Sequence, residues 1–244
     1  MRFPPRSART AFVAACAAFP LAHAACPPPY SAVAHATYYD ITAGSMGACS
    51  LTNVDGETTA IVYTRWNGSA HCGECLDVTG PLGSTIVKVT DECPDCTVSD
   101  LDLSRGAFAK IGVLSDGVIP ISWRRVDCPV SGGIKLQVQN GVNPYYFSLL
   151  PDNALQGTTA LRIRESGSPG WQTMTRTDYG YWIGSSGPSG FQFPLSVEVT
   201  SQSTEVLQIP NVIPNATADV TYTTASQYGA CSDRIFAQDF GSNG

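Results

Sequence analysis

Several carboxylates lie close together in a chain of which only 14% of the residues are charged. Asp91 and Glu92 follow a β-branched run, and Asp100 and Asp102 come shortly afterwards. Asp102 stands between two leucines, so its backbone is expected to line a buried wall. Partial desolvation there would raise the carboxyl pKa and keep a proton available near neutral pH. The alternative is that Asp91 and Asp102 cap turns or the following helix.

These carboxylates lie between a predicted strand and a predicted helix of an all-β chain. Glycine and proline are scattered throughout, and short β-branched runs between them predict strands. The clearest runs cover residues 59–64, 85–90, 118–124, 134–139, 158–164 and 195–200. One short helix is expected over 104–111, with Ser104 as its N-cap and Gly112 at its end. The acidic residues are therefore expected where a strand gives way to this helix.

The first residues have the pattern of an export signal. Three arginines precede an apolar run over 10–21 that is too short to cross a bilayer, and Ala22-His23-Ala24 fits a small-x-small cleavage site. A lipoprotein with acylated Cys26 is the weaker alternative, because a leucine is usual at position 23. We therefore expect residues 1–24 to be a signal peptide and the mature protein to be secreted.

The charge of the chain limits its partners. Removal of residues 1–24 takes away three arginines and no acidic residue, so the formal net charge would fall from −6 to −9. Nucleic acids and anionic membranes both attract basic surfaces, so neither is an expected partner. A neutral or weakly charged partner such as a glycan fits this composition better.

Eight cysteines would remain in the mature chain. Their even number in an exported protein favours four disulfides. Two Cys-x-x-Cys pairs, at 72–75 and 93–96, also have the spacing of a zinc ribbon. An oxidising compartment disfavours that alternative. A bond between Cys26 and Cys231 would join the two ends of the mature chain, but spacing alone does not give the connectivity.

The cysteines are unevenly distributed, which indicates two domains. All but Cys231 lie before a boundary near 128–133, and strands, aromatic residues and glycine-rich turns follow it. We predict a first domain over 25–130, a second over 131–228 and a C-terminal tail over 229–244. Trp171 and Trp182 are expected in the core of the second domain.

Short blocks of this sequence resemble the bacterial and fungal expansins and occur in the same order as in that family. The blocks are Ala36-Thr37-Tyr38-Tyr39, Cys72-Gly73-x-Cys75, Val89-Thr90-Asp91, the run from Leu101 to Gly112, and Ile121-Ser122-Trp123 continuing to Cys128. The resemblance covers nearly all of the mature chain. Its most specific motif is Leu101-Asp102-Leu103-Ser104 together with the helix that follows.

The resemblance implies a six-stranded double-psi β-barrel followed by an immunoglobulin-like β-sandwich of the carbohydrate-binding type. Asp102 falls at the aspartate that expansins need for wall loosening, and Thr37 and Asp91 match its polar neighbours. The family also implies the pairs Cys49–Cys72 and Cys75–Cys128, which leaves Cys93–Cys96 as a local clip. Cys93 replaces a tyrosine that bacterial members place in the groove.

Aromatic residues of the second domain resemble the cellulose-binding row of the family. Tyr145 and Tyr146 stand where bacterial members carry adjacent tryptophans, and Tyr179 matches a third position, while Tyr39 is a further expected carbohydrate contact in the barrel. Aromatic rings suit the flat C–H face of a β-glucan. Neighbouring strand residues point to opposite faces, so Tyr145 and Tyr146 share a surface only across a bulge or twist. The alternative is one exposed tyrosine and one in the core.

Hydrolysis with inversion needs an acid and a base about 6.5–9.5 Å apart. Related barrel glycosidases place the base shortly after a Thr-x-Tyr motif, at a position that Ile41 occupies in this chain. Asp40 lies one residue earlier, and a shift of one residue on a strand turns a side chain to the opposite face. Asp40 is therefore expected to point away, unless a bulge restores it.

The sequence thus predicts a secreted, monomeric, expansin-like protein that is not an enzyme. It would bind cellulose and associated wall polysaccharides, with peptidoglycan as a further candidate, and loosen them without cutting. No cofactor or metal is expected. One alternative is an endoglucanase or a peptidoglycan lytic transglycosylase of the same barrel architecture. Another is a carbohydrate-binding protein without loosening activity.

Overall fold

A closed six-stranded β-barrel forms the first part of the protein in a computed structural model, which describes residues 31–42, 44–51 and 57–231. In chain order its strands are β1 (Ser31–Tyr39), β2 (Thr58–Val62), β3 (Cys75–Gly80), β4 (Gly83–Cys93), β5 (Leu101–Ser104) and β6 (Ile119–Val126). Around the barrel the order is β1-β5-β2-β4-β3-β6. Two of the neighbouring pairs, β1 with β5 and β2 with β4, are parallel, and the other four are antiparallel. The predicted all-β class and the barrel are therefore confirmed.

Among the described residues, two short helices and one 3-10 turn interrupt the barrel strands. They are α1 (Tyr63–Trp66), α2 (Arg105–Ile111) and the 3-10 turn (Leu114–Asp116). Ser104 caps α2, because its hydroxyl accepts a hydrogen bond from the Ala107 amide, and the helix ends at Gly112 as predicted. No helix in the described ranges is long and apolar enough to cross a membrane.

Two antiparallel sheets follow the barrel and enclose a second core. Their strands are β7 (Lys135–Val138), β8 (Tyr146–Asp152), β9 (Thr158–Arg164), β10 (Gln172–Thr173), β11 (Thr175–Arg176), β12 (Trp182–Ser185), β13 (Leu195–Ser201), β14 (Val206–Ile213) and β15 (Thr221–Thr223). One sheet has the order β11-β12-β8-β7-β15 and the other β10-β9-β13-β14. Buried side chains of both sheets, including Phe147, Leu149, Leu161 and Val197, pack into one cluster. This is the predicted β-sandwich.

Alternation along β5 determines which residues face the barrel core. Leu101 and Leu103 are buried in that core, and Asp102 between them points outwards and is half-buried. The same period of two on β1 buries Ala36 and leaves Thr37 on the outer surface. The Leu-Asp-Leu pattern therefore supports the barrel from inside while presenting one carboxyl outside.

Three disulfides lie in the described ranges, and they are the pairs that the family resemblance implied: Cys49–Cys72, Cys75–Cys128 and Cys93–Cys96. The zinc-ribbon alternative is wrong, because both Cys-x-x-Cys pairs use their sulfurs in these bonds. The predicted pairing of Cys231 involves Cys26, which lies outside the described residues. The predicted signal peptide and residues 232–244 of the predicted tail also lie outside them.

The sandwich packs directly against the barrel. Leu150 of β8 and Tyr181 join the barrel core cluster. Glu74 of the barrel is only 1% exposed and receives hydrogen bonds from Arg125 and, across the junction, from Gln202 of the sandwich. Removing one partner of such a buried charged pair costs about 3–5 kcal/mol. This polar contact and the shared apolar core hold the two parts in a fixed relation.

Candidate functional site

Strand register brings the predicted polar residues of the barrel into one row. Thr37 of β1 lies beside Asp102 of β5, Asp102 lies beside Ala60 of β2, and Ala60 lies beside Asp91 of β4. A β-bulge in the β2–β4 pair, between Thr59 and Ala60, sets this last match. Asp102 and Asp91 are thus two strands apart, with only the small Ala60 side chain between their positions.

The carboxyl of Asp102 is held by the neighbouring side chain on β1. The Thr37 hydroxyl donates a hydrogen bond of 2.6 Å to its Oδ1. Burial raises the pKa of Asp102 above its usual value, and the nearby charge of Asp91 acts in the same direction, while the Thr37 hydrogen bond partly opposes them. Asp102 therefore holds a proton at higher pH than an exposed aspartate, as the sequence predicted from its flanking leucines.

Asp91 is held by the backbone rather than by side chains. Its Oδ1 accepts hydrogen bonds from the Ala48 amide at 2.8 Å and from the Glu92 amide at 2.9 Å. Gly47 packs so closely that an added Cβ would lie 2.3 Å from the Thr90 carbonyl oxygen. The segment 47–48 therefore fits only with glycine at position 47 and fixes Asp91 in place.

Tyr39 lies beside the two carboxylates but does not offer an exposed ring. Its hydroxyl is buried close to the hydroxyls of Thr58 and Thr90. Burial, reinforced by the charge of Asp91, raises the pKa of Tyr39 to about 12. The expected carbohydrate contact at Tyr39 stays a prediction, and this geometry favours a supporting role beneath the row over a stacking surface.

An open cavity of about 570 Å³ lies over the Thr37 and Asp102 end of this row, and Asp91 does not line it. Thr37 and Asp102 line it together with residues that the sequence interpretation left unassigned: His35, Glu92, Asp95, Asp100 and Val118, and the Cys93–Cys96 clip with Pro94. His35 and Asp100 each precede a predicted site residue by two positions. The strand period of two was therefore the signal that could have found them. Cys93, at the position where the family resemblance implies a tyrosine in bacterial members, forms a wall of the groove.

The pKa of Asp100 is shifted in the opposite direction to that of Asp102. Burial alone would raise its pKa, but hydrogen bonds from the Thr97 hydroxyl and from the His35 amide at 2.8 Å outweigh it, so the pKa is lowered. Asp102 and Asp100 thus line one cavity with pKa values shifted apart.

Asp40 does not line this cavity. Its carboxylate forms a salt bridge with the Arg105 guanidinium, and that hydrogen-bonded contact lowers the pKa of Asp40. Arg105 begins α2 and also stacks over the Tyr38 ring. Asp40 therefore points away from the cavity, as the one-residue shift predicted, and it contacts Arg105 instead.

The three predicted tyrosines of the sandwich all lie outside its core. Tyr145 is 56% and Tyr179 is 38% exposed, and Tyr146 is partly exposed at the start of β8. The Asn143 side chain accepts hydrogen bonds from both the Tyr145 and Tyr146 amides, so the chain turns sharply before the strand begins. Phe147, not Tyr146, enters the sandwich core. The alternative of one core tyrosine is therefore wrong.

Contacts run from Tyr146 through Tyr179 to Tyr181 at the barrel, and we call these three residues together with the exposed Tyr145 the tyrosine row. Burial raises the pKa of Tyr146, and the adjacent Tyr179 hydroxyl adds to this effect. The rings of Tyr179 and Tyr181 have centroids 6.1 Å apart. Tyr181 was not identified from the sequence; it is buried and packs into the barrel core.

One short barrel segment connects the groove to the tyrosine row. The Ser50 hydroxyl donates to the Tyr179 carbonyl at 2.8 Å, while Ala48 holds Asp91. Gly180 has a φ of +91°, and an added Cβ would lie 2.4 Å from the Cys49 carbonyl oxygen, so only glycine fits there. Residues 48–50 thus contact both candidate surfaces.

The two tryptophans of the sandwich differ from each other. Trp182 is buried in the core as expected. The same expectation for Trp171 is wrong, because its ring lies under the guanidinium groups of Arg162 and Arg164, at 5.7 and 4.7 Å from the ring centroid. Both arginines alternate with the core residue Ile163 on β9, which places them on the outer face of that sheet.

Comparisons with known proteins agree with this architecture. The chain matches a family model described as a lytic transglycolase over residues 57–123 and one described as an expansin-like protein middle domain over 130–229. Expansin-like protein 5 of Dictyostelium discoideum is 30% identical over 83% of this chain and 89% of its own length. Expansin-B11 of Oryza sativa is also 30% identical, over 81% of this chain and 78% of its own.

A solved structure shows the same likeness in three dimensions. It is that of a mutant Clavibacter michiganensis expansin in complex with cellohexaose. It superposes with a TM-score of 0.74 at 32% identity and covers 82% of this chain and 100% of that chain. The likeness therefore extends over both the barrel and the sandwich.

Proposed function

The chain belongs to the expansin family, and from this membership we propose that it is a secreted protein that binds cellulose and related wall glucans and loosens them without hydrolysis. The observation that carries the proposal is the pairing of Asp102 with Thr37 in an open groove of the barrel. The relative crystallised with cellohexaose supports a glucan as the ligand. We propose the predicted domains, 25–130 and 131–228, as its two working parts.

The groove supplies hydrogen bonds to a glucan. A protonated Asp102 can donate to a sugar hydroxyl or to a glycosidic oxygen, and Thr37 fixes the orientation of that carboxyl. A hydrogen bond to the protein then replaces one between neighbouring glucan chains. Because no bond of the substrate is broken, such exchange weakens the contact between chains without shortening them.

The tyrosine row supplies binding energy for the glucan. Its exposed rings are neutral and can stack on the C–H face of a β-linked sugar, each contact contributing about 1 kcal/mol. Tyrosine offers less apolar area than the tryptophans of bacterial relatives, so the expected binding is weaker than theirs. The contact of residues 48–50 with both surfaces supports a single glucan chain, or two adjacent chains, engaging both.

The absence of hydrolysis rests on the position of Asp40. An inverting enzyme needs a base about 6.5–9.5 Å from the acid, on the other side of the bond to be cut. Asp40 would be the natural candidate from the sequence, but it is bound to Arg105 and does not line the cavity. Loosening without cutting is the function that fits this arrangement.

Two measurements on the same sample test the proposal. Strips of cellulose paper held under constant load should extend when the protein is added, and the bathing solution should contain no new reducing ends. Extension accompanied by reducing-end release from cellulose or xyloglucan would replace loosening by hydrolysis. Binding to cellulose with no extension would leave only a carbohydrate-binding protein.

Hydrolysis is kept as the second candidate because of Asp100. Asp102 and Asp100 line one cavity with pKa values shifted in opposite directions, the pattern of an acid and a base. The match of residues 57–123 to the lytic transglycolase model favours peptidoglycan as the substrate of such an activity. If it exists, cellulose or peptidoglycan should be cleaved by the wild type but not by Asp100→Asn.

A further inference from the structure

A small open pocket of about 190 Å³ lies next to Tyr146, at the edge of the sheet that carries the tyrosine row. Tyr146 forms one wall, and the others come from β10, β11 and β12: Gln172, Thr173, Thr175, Ile183 and Ser185. Ile183 is the cross-strand neighbour of both Thr175 and Ser148. The pocket is therefore continuous with the face on which Tyr146 lies, but it is displaced from the tyrosine row towards the sheet edge.

The lining of this pocket suits a neutral, hydroxyl-rich ligand. None of its lining side chains is charged. The Gln172 amide donates to the Ser185 carbonyl at 2.8 Å, which holds the Gln172 side chain across the pocket and leaves its own carbonyl oxygen as an acceptor. Thr173, Thr175 and Ser185 are exposed and bring further hydroxyls. Ile183 adds an apolar surface against which the C–H side of a sugar ring can pack.

The size of the pocket limits its occupant. A volume of about 190 Å³ is below the roughly 300–1,000 Å³ of pockets that bury a whole small-molecule ligand. This is room for one sugar ring with its hydroxyls and is too little for a stretch of glucan backbone. The expected occupant is therefore a single sugar unit attached as a branch to a glucan backbone.

We propose that this pocket, defined by Tyr146, Thr175 and Ile183, binds a neutral sugar branch of a substituted β-glucan whose backbone lies on the tyrosine row. The inference rests on the proposed function and names the substrate class of that surface: branched rather than plain β-glucan. Tyr146 is shared between the two, since its ring contacts the backbone and its edge borders the branch.

Calorimetric titration with two oligosaccharides of equal backbone length tests the proposal. One is cellotetraose, and the other is the xylose-substituted tetraglucose heptasaccharide from xyloglucan. We expect the branched compound to bind about fivefold more tightly or better, which corresponds to one net hydrogen bond of about 1 kcal/mol. Equal affinities, or tighter binding of cellotetraose, would overturn the proposal.

Filling the pocket should remove this preference. Thr175→Trp places a large ring in the cavity from an exposed edge strand and should bring the two affinities together while that for cellotetraose is kept. Ser185→Tyr is a second blocking variant from another strand. Thr221→Trp is the matched control, since Thr221 is an exposed threonine on the opposite edge strand of the same sheet.

The possible outcomes separate this inference from the proposed function. A preference that survives both blocking variants contradicts the pocket assignment. If cellotetraose and the branched heptasaccharide bind equally well, the pocket assignment is contradicted, but the proposed binding of glucan to the tyrosine row is kept. If cellotetraose does not bind the wild type, the proposed binding of glucan to the tyrosine row is contradicted. The pocket inference, which rests on that binding, is then contradicted as well.

Discussion

The barrel groove and the tyrosine row are two different kinds of surface. The groove is lined by four carboxylates, Glu92, Asp95, Asp100 and Asp102, with His35 as its basic group. The tyrosine row is neutral and consists of aromatic rings and hydroxyls. Hydrogen bonds and protonation govern the first surface, and buried apolar area governs the second. A change that acts on one should therefore leave the other largely unaffected.

The largest difference between the two surfaces is expected from Asp102→Ala. We expect loss of all measurable paper extension, because the groove loses its proton-bearing carboxyl, while cellulose pull-down stays within about twofold of wild type since its energy comes from the tyrosine row. Asp116→Ala, an exposed aspartate that does not line the cavity, is the control. Unchanged extension in Asp102→Ala would remove this residue from the proposed function.

Truncating the tyrosine row should give the next largest effect. Tyr145→Ala, Tyr146→Ala and Tyr179→Ala combined should weaken binding to cellulose roughly a hundredfold, from three contacts of about 1 kcal/mol each. Tyr63→Ala, an exposed tyrosine on α1 of the barrel, should change nothing. Pull-down isotherms that coincide for the triple variant and wild type would place the binding surface elsewhere.

The pH dependence should differ between the two surfaces. Asp102 has a raised pKa, so the protonated fraction falls as pH rises through that value, and loosening should fall with it. Cellulose binding should stay level, because the raised pKa of Tyr146 keeps its hydroxyl protonated throughout this range. Parallel extension and pull-down assays from pH 4 to pH 8, about the range over which carboxyl and histidine side chains titrate, check this. Loosening that rises with pH would contradict a proton-donating Asp102.

The smallest expected effect comes from removing the Thr37 hydroxyl, and it tests the role of Thr37 beside Asp102. The Thr37 hydrogen bond lowers the pKa of Asp102, so Thr37→Val should raise that pKa further and extend loosening to higher pH. Thr37→Ser, which retains a hydroxyl, is the conservative control and should restore the original profile. A uniform loss of extension at every pH would indicate a structural role of Thr37 instead.

Local sequence patterns were sufficient for much of the fold. The run 158–164 coincides with β9, and Ser104 caps α2 as its hydroxyl predicted. The run 59–64 was only half right, because the chain leaves β2 after Val62 and turns into α1, where Trp66 is buried in the barrel core. β1 was not recognised because it is rich in alanine; it is a strand because β5 and β6 both pair with it.

Local sequence patterns predicted less of the candidate site. Thr37 and Asp102 are 65 residues apart, and their contact depends on a parallel register that no local signal shows. The family resemblance brought them together, whereas the leucines beside Asp102 predicted its raised pKa directly. Tyr181 was missed because a buried tyrosine at a junction looks like any core residue in sequence. The domain limits and the signal peptide stay predictions.

The segment 48–50 contacts Asp91 at one end and Tyr179 at the other, so the groove and the tyrosine row keep one separation. Under the proposed function, a glucan chain long enough to reach both surfaces meets the second one at a high effective concentration, so it should bind more tightly than a shorter chain without any new kind of contact. We therefore expect the affinity for an oligosaccharide to increase abruptly once its length exceeds this fixed separation.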